Sequence, residues 1–140
     1  MIVKQVSVFV ENTVGRLADL TKILTDNNID LKASTIAETV DFGILRCIVE
    51  EPEKTVKILV ENGFSASISE VTGVSLEDKP GGLHKVLAVL AEAGIAVNYI
   101  YSTIKSAEGK AIIMMKTSDA TKAEEVLKAS GVELAGADSF

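Results

Sequence analysis

Apolar and polar positions alternate at the start of the chain. Val6, Val8 and Val10 interleave with Gln5, Ser7 and Phe9, and a period of two predicts a strand. Asn12-Thr13-Val14-Gly15 interrupts it. Leu17, Leu20, Ile23 and Leu24 then recur at i, i+3, i+6 and i+7, which places them on one face of a helix. Asn27-Asn28 is a natural stop. Ile29 to Ile36 reads as a strand, Glu38 to Asp41 as a turn, and Phe42 to Val49 as a β-rich run. The two runs make a hairpin. Pro52 suits the first turn of a helix, where its missing N–H costs nothing. Val56, Leu59 and Val60 give that helix a short apolar stripe, closed by Asn62-Gly63, and Phe64 to Val71 returns to strand.

The second half repeats this order. Val74 and Leu76 lie in a strand, followed by a Pro-Gly turn. Leu83, Val86, Leu87 and Leu90 form a helical stripe ended by Gly94. Ile95 to Ile104 is a long strand, Ser106 to Gly109 its hairpin turn, and Ala111 to Met115 the partner strand. Ser118 or Asp119 caps a helix carrying Ala123, Val126 and Leu127. Gly131 stops it, and Val132 and Leu134 begin a weaker last strand. Strand–helix–strand–strand–helix–strand is the split βαβ order. The expected fold is α+β: two tandem ferredoxin-like βαββαβ units, each a four-stranded antiparallel sheet with two helices on one face. The expected boundaries are 1–71 and 72–140, with no linker between them.

Composition narrows the possibilities. The chain has 140 residues, 47% hydrophobic and 24% charged, with one Cys and no Trp. The core must therefore come from Val, Ile, Leu and Ala. A unit of about 70 residues is marginal alone, so the halves are expected to need each other or a second chain, and a homodimer is the expected assembly. The net charge of −6 argues against nucleic acid and against an anionic membrane surface. There is no signal-peptide pattern and no apolar run of membrane-spanning length. The expected compartment is the cytoplasm.

Reactive groups are few. His84 stands alone beside Leu83, and Cys47 lies in the apolar run Ile44 to Val49 with no adjacent His. Neither a Cys–His nucleophile nor a metal cluster has support, so the expectation is no enzyme, no metal and no cofactor. Glu50, Glu51 and Glu53 sit at a strand-to-helix junction and suit a helix N-terminus. Pro80-Gly81-Gly82 lacks the spacing of a phosphate loop.

Two turns remain. Asn12-Thr13-Val14-Gly15-Arg16-Leu17 and Asp78-Lys79-Pro80-Gly81-Gly82-Leu83 stand in the same setting, 66 residues apart. Gly15 and Gly81 let the chain bend sharply into a helix, and Pro80 fixes the bend. A helix start offers free N–H groups and a partial positive charge, good for a carboxylate. The polar residues near the following strands, Asp30 and Asn98, suit an ammonium group.

These motifs resemble the ACT domain. Asn12, Gly15 and Leu17 match an Asn-x-x-Gly-x-Leu signature, and Asp78, Pro80, Gly81 and Leu83 match Asp-x-Pro-Gly-x-Leu. Asn28-Ile29-Asp30 and Gly94-Ile95-Ala96 add to the likeness, which covers nearly the whole chain twice. The resemblance implies regulation: an amino acid held at an ACT–ACT interface and a signal passed to a partner enzyme. It implies a site in which the turns Asn12 to Leu17 and Asp78 to Leu83 form one wall and strand residues of a neighbouring unit form the other. The family's strand-start Asn falls on Asp30; Ala96 replaces it in the second copy, with Asn98 two residues on. Val14 replaces the family Pro, and Asp78 replaces the turn Asn. By charge, the first turn is the better carboxylate seat. Two other readings stay open: a regulatory subunit of a biosynthetic enzyme such as acetolactate synthase, and an interaction module without ligand.

Overall fold

The first valines that alternate in the sequence form the inner face of a sheet in the computed structural model, which describes residues 2–104 and 109–139. The chain divides into two units, one of Lys4–Ser69 and one of Glu70–Phe140 with Met1–Val3.

The first unit contains β1 (Ile2–Glu11), α1 (Arg16–Asp26), β2 (Ala33–Glu38), β3 (Phe42–Ile48) and α2 (Pro52–Glu61), and it ends in the first residues of β4 (Ser65–Glu77). Its strand order is β2-β3-β1-β4. β1 and β2 both pair antiparallel with β3, in registers that set Val6 against Cys47 and Ser34 against Cys47. Pairing in register puts Val6, Val8, Leu45 and Cys47 on one face. Leu20 and Leu24 of α1, Leu59 of α2, and Phe64 pack onto that face as one core. Each such side chain contributes roughly 1.5–3 kcal/mol on burial.

The second unit uses the rest of β4, then α3 (Gly82–Glu92), β5 (Val97–Ser102), β6 (Lys110–Thr117), α4 (Ala120–Ala129) and β7 (Glu133–Leu134). Its strands run in the order β7-β4-β6-β5, the same fourth–first–third–second arrangement. β4 pairs antiparallel with β6 and β7, and β5 pairs antiparallel with β6. Val74 and Met115 meet Val86, Leu90, Ala123 and Leu127 in its core. Both units are ferredoxin-like βαββαβ folds with antiparallel sheets.

Several local expectations need correction. The strand expected over Phe64 to Val71 begins at Ser65 and runs on without a break through Val74 and Leu76 as one strand, β4. Nothing in Thr72-Gly73 breaks extended backbone, and Gly73 lets the chain of Ala135 approach, since a Cβ there would lie 2.2 Å from the Ala135 oxygen. β2 starts at Ala33 rather than Ile29, and β5 covers only Val97–Ser102. Asn28 (φ 56°) and Gly94 (φ 72°) are left-handed, so the chain is still turning there. Ile95 is nonetheless buried. Leu17 and Val60 are exposed, and Thr55 takes the buried place in α2, its hydroxyl donating to the Glu51 carbonyl at 2.8 Å. Gln5, a polar position of the alternation, is buried and donates to Ser69 Oγ at 3.0 Å and Ser7 Oγ at 3.2 Å. Of the two candidate caps for α4, Asp119 is the one used: its Oδ1 accepts from the Lys122 N–H. Ser106 to Glu108 of the expected hairpin turn lie outside the described residues.

Candidate functional site

The two repeated turns close with the same hydrogen bonds. In the first, the N–H groups of Asn12, Thr13, Arg16 and Asp19 donate to the carbonyls of Asp41, Glu11, Thr13 and Gly15. In the second, those of Asp78, Lys79, Gly82 and Lys85 donate to Gly109, Glu77, Lys79 and Gly81. Gly15 (φ 84°) and Gly81 (φ 91°) hold the left-handed N-cap positions of α1 and α3. A left-handed L-residue costs about 1–2 kcal/mol, which explains the glycines, since a Cβ at either meets nothing within 4 Å. Neither helix has a side-chain cap. The donors of the first turn, Leu17 and Ala18 in α1 and Leu83 and His84 in α3, are those that helical geometry leaves over. α4, by contrast, is closed by Asp119.

Around the first turn, Asn12, Thr13 and Val14 are exposed. Arg16 is already engaged: its Nε donates to Glu11 Oε2 at 2.7 Å, and its guanidinium carbon sits 3.9 Å from the centre of the Phe64 ring. The hydrogen bond from Arg16 holds the Glu11 carboxyl below the usual carboxylate range. A shallow hollow of ≈ 110 Å³ is lined by Asn12, Thr13 and Leu17, with Glu11, Ile36 and Glu38. That is smaller than the roughly 300 Å³ at which small-molecule pockets begin. Around the second turn, Asp78, Pro80 and Gly81 are exposed and Leu83 is half-buried. Gly82 is buried and lines a larger cleft of ≈ 360 Å³.

Within one unit the strand-start residues do not join the turns. Asp30 lines a separate groove with Thr25, Asn28 and Ile29. It lies beyond the far end of α1, whose eleven residues span roughly 16 Å. Asn98 is exposed in β5, at the register shift between Val97 and Tyr99 and likewise past the end of α3. Lys85, Lys110, Ser130 and Val132 line the larger cleft; the sequence pattern marks only Val132, and that as the start of a strand. Alignment of the two halves would have flagged them, because the first half has different chemistry at the matching positions.

Cys47 has no part in this chemistry. It is buried in the first core, and burial pushes its thiol up to about 12, so it stays protonated at neutral pH.

The structure of a protein from Bacteroides thetaiotaomicron is 42% identical, with a TM-score of 0.92, and the match covers 99% of this chain and 95% of that one. The ligand-free regulatory subunit of aspartate kinase from Thermus thermophilus shares the fold at 16% identity, with a TM-score of 0.68 over 91% of this chain and 90% of that one. The corresponding subunit from Thermus flavus does so at 15% identity, with a TM-score of 0.63 over the same shares. No curated protein matches the chain. The sequence profile of the ACT domain pair matches residues 1–138. The chain therefore belongs to the ACT-domain family, as an ACT domain pair.

Proposed function

We propose that this chain is a regulatory protein, assembled as a homodimer, that binds an amino acid at an ACT–ACT interface and signals to a partner enzyme. The observation that carries this reading is the pair of uncapped helix starts, each behind a left-handed glycine. Such ends attract a carboxylate. The exposure of Asn12, Thr13, Asp30 and Asn98 supports a second wall supplied from a neighbouring unit, with Asp30 or Asn98 meeting the ammonium group. The fold shared with two aspartate kinase regulatory subunits supports a regulatory role beside a biosynthetic enzyme. The domains in this reading are 1–71 and 72–140, and the place of action is the cytoplasm. No helix of the described residues is long and apolar enough to cross a membrane.

The test is a thermal-shift screen of the twenty amino acids on the full chain, followed by calorimetry on Gly15→Asp. A ligand at a hundred times its Kd adds about 2.7 kcal/mol of stability. Asp tolerates left-handed backbone better than most residues, and the space at Gly15 is open, so the variant folds. Its carboxylate occupies the helix start and repels the ligand. Unchanged affinity in the folded variant would refute the site.

A further inference from the structure

The two turns close alike, but what stands beside them differs. Counted from the left-handed glycines of the turns, Gly82 of the second unit corresponds to Arg16 of the first, and Lys85 to Asp19. Counted from Gly63 and Gly131, the left-handed glycines that end α2 and α4, Val132 corresponds to Phe64. In the first unit Arg16 stacks on Phe64 and is pinned by Glu11. These two side chains meet between the start of the first helix and the end of the second. In the second unit a glycine and a valine stand there, and the space is the ≈ 360 Å³ cleft between α3, the end of α4 and the end of β4. Gly82 is held to this small size, because a Cβ on it would lie 2.2 Å from the Glu77 carbonyl oxygen.

The chemistry of the cleft is specific. Its apolar lining is aliphatic: Leu76, Val86, Val89 and Val132. Each of its two carboxylates is taken by a lysine. Lys110 Nζ lies 2.6 Å from Glu133 Oε2, and Glu77 is paired with Lys79. Lys79 foremost, with smaller help from Lys85 and Lys110, holds the Glu77 carboxyl below its ordinary range. Lys85 lines the cleft, makes no salt bridge within 4 Å among the described residues and acts on Glu77 only at longer range, so its ammonium can take a further anion. The uncapped start of α3 adds partial positive charge on the same side. Where the first unit carries Asp19, the second has reversed the sign.

We propose that this cleft is a binding site for a small aliphatic monocarboxylate, its carboxylate held by Lys85 and its apolar body set against Leu76, Val86, Val89 and Val132. The volume falls in the range of small-molecule sites, and a few convergent polar groups on an apolar wall are what fix a ligand's orientation there. The site lies within one unit and does not depend on the interface reading above. A free aliphatic acid and an aliphatic amino acid share the required chemistry.

The experiment titrates the ¹⁵N-labelled full chain with 4-methylpentanoate, L-leucine and 3-methylbutylamine. The acid produces saturable shifts at the amides of Val86, Val89, Gly131 and Val132, and the amine does not. If leucine matches the acid, the natural ligand class includes amino acids; if it binds more weakly, the class is acids without an ammonium group. Lys85→Met keeps the apolar stem and lowers affinity at least tenfold. Val132→Phe installs the phenylalanine of the first unit and abolishes binding. Gly15→Asp leaves binding in the cleft unchanged, which separates this site from the interface site. Absence of saturable shifts with the acid, equal binding of the amine, or unchanged affinity in Lys85→Met would overturn the proposal.

Discussion

Gly81 and Gly82 are adjacent, and the structure requires glycine at each for a different reason. At Gly81 the backbone is left-handed (φ 91°) and space is open, so Gly81→Ala costs only the conformational penalty, about 1–2 kcal/mol. At Gly82 an added Cβ lies 2.2 Å from the Glu77 carbonyl oxygen and 3.4 Å from Leu76 Cδ1. The nearer atom is backbone, pinned by the Lys79 N–H at 2.9 Å and by the pairing of Glu77 with Lys110. Relief requires the start of α3 to back away from β4 by about 1 Å, an overpacking cost of about 1–3 kcal/mol or more. Asparagine separates the two. It tolerates left-handed backbone, so Gly81→Asn recovers part of the loss, whereas Gly82→Asn is at least as damaging as Gly82→Ala. Urea unfolding followed by circular dichroism reads all four variants as midpoint shifts at constant m. Equal rescue by Asn at both positions, or a Gly82→Ala protein as stable as the parent, would refute the close approach of helix and strand.

Other outcomes follow from the same geometry. The Thr72 and Thr117 hydroxyls are buried without a hydrogen-bond partner among the described residues, so Thr72→Val is neutral or stabilising, while Thr55→Val, which loses the bond to Glu51 O, destabilises by about 1 kcal/mol; thermal melts compare the two. The Cys47 thiol, pushed up to about 12 from a reference of 9.0, favours the folded state less as pH rises: only the unfolded chain loses the proton between these values. The thiol's contribution to stability then falls by about 1.4 kcal/mol per pH unit in that window, and Cys47→Ala removes this share of the slope in alkaline urea titrations. Glu11, Glu53 and Glu77 have carboxyls lowered by hydrogen bonds from Arg16, Lys4 and Lys79. Their contribution is present above the ordinary carboxylate range and is lost as pH falls through the lowered values. All three are exposed, so acid unfolding measured at low and high salt shows the loss only at low salt.

Much of the fold was legible because one face of each sheet carries apolar side chains at alternate positions. Val6, Val8 and Val10 alternate in the sequence and lie together in the core; Leu20 and Leu24 do the same on α1. Periodicity fails where both faces of a strand are buried. Gln5 occupies a polar beat of the pattern yet is fully enclosed, satisfied by serines two and sixty-four residues away. It also overextends helical stripes: Leu17 and Val60 keep the spacing but lie at the helix ends, outside the core. The turns were legible because a left-handed N-cap demands glycine, and the sequence repeats it. The cleft beside the second turn was not, because its walls come from β4, α3, β6 and the end of α4. Only the contrast of Gly82, Lys85 and Val132 with Arg16, Asp19 and Phe64 marks it, and that contrast acquires meaning once Arg16 is seen lying on Phe64.

The central claim, that this ACT pair reads an amino acid at its uncapped helix starts, is tested most directly by amide mapping. The ¹⁵N-labelled full chain is titrated with each of the twenty amino acids. At least one is expected to give saturable shifts at the N–H groups of Arg16, Leu17 and Ala18, and these vanish in Gly15→Asp. It is contradicted if none of the twenty moves an amide in either turn.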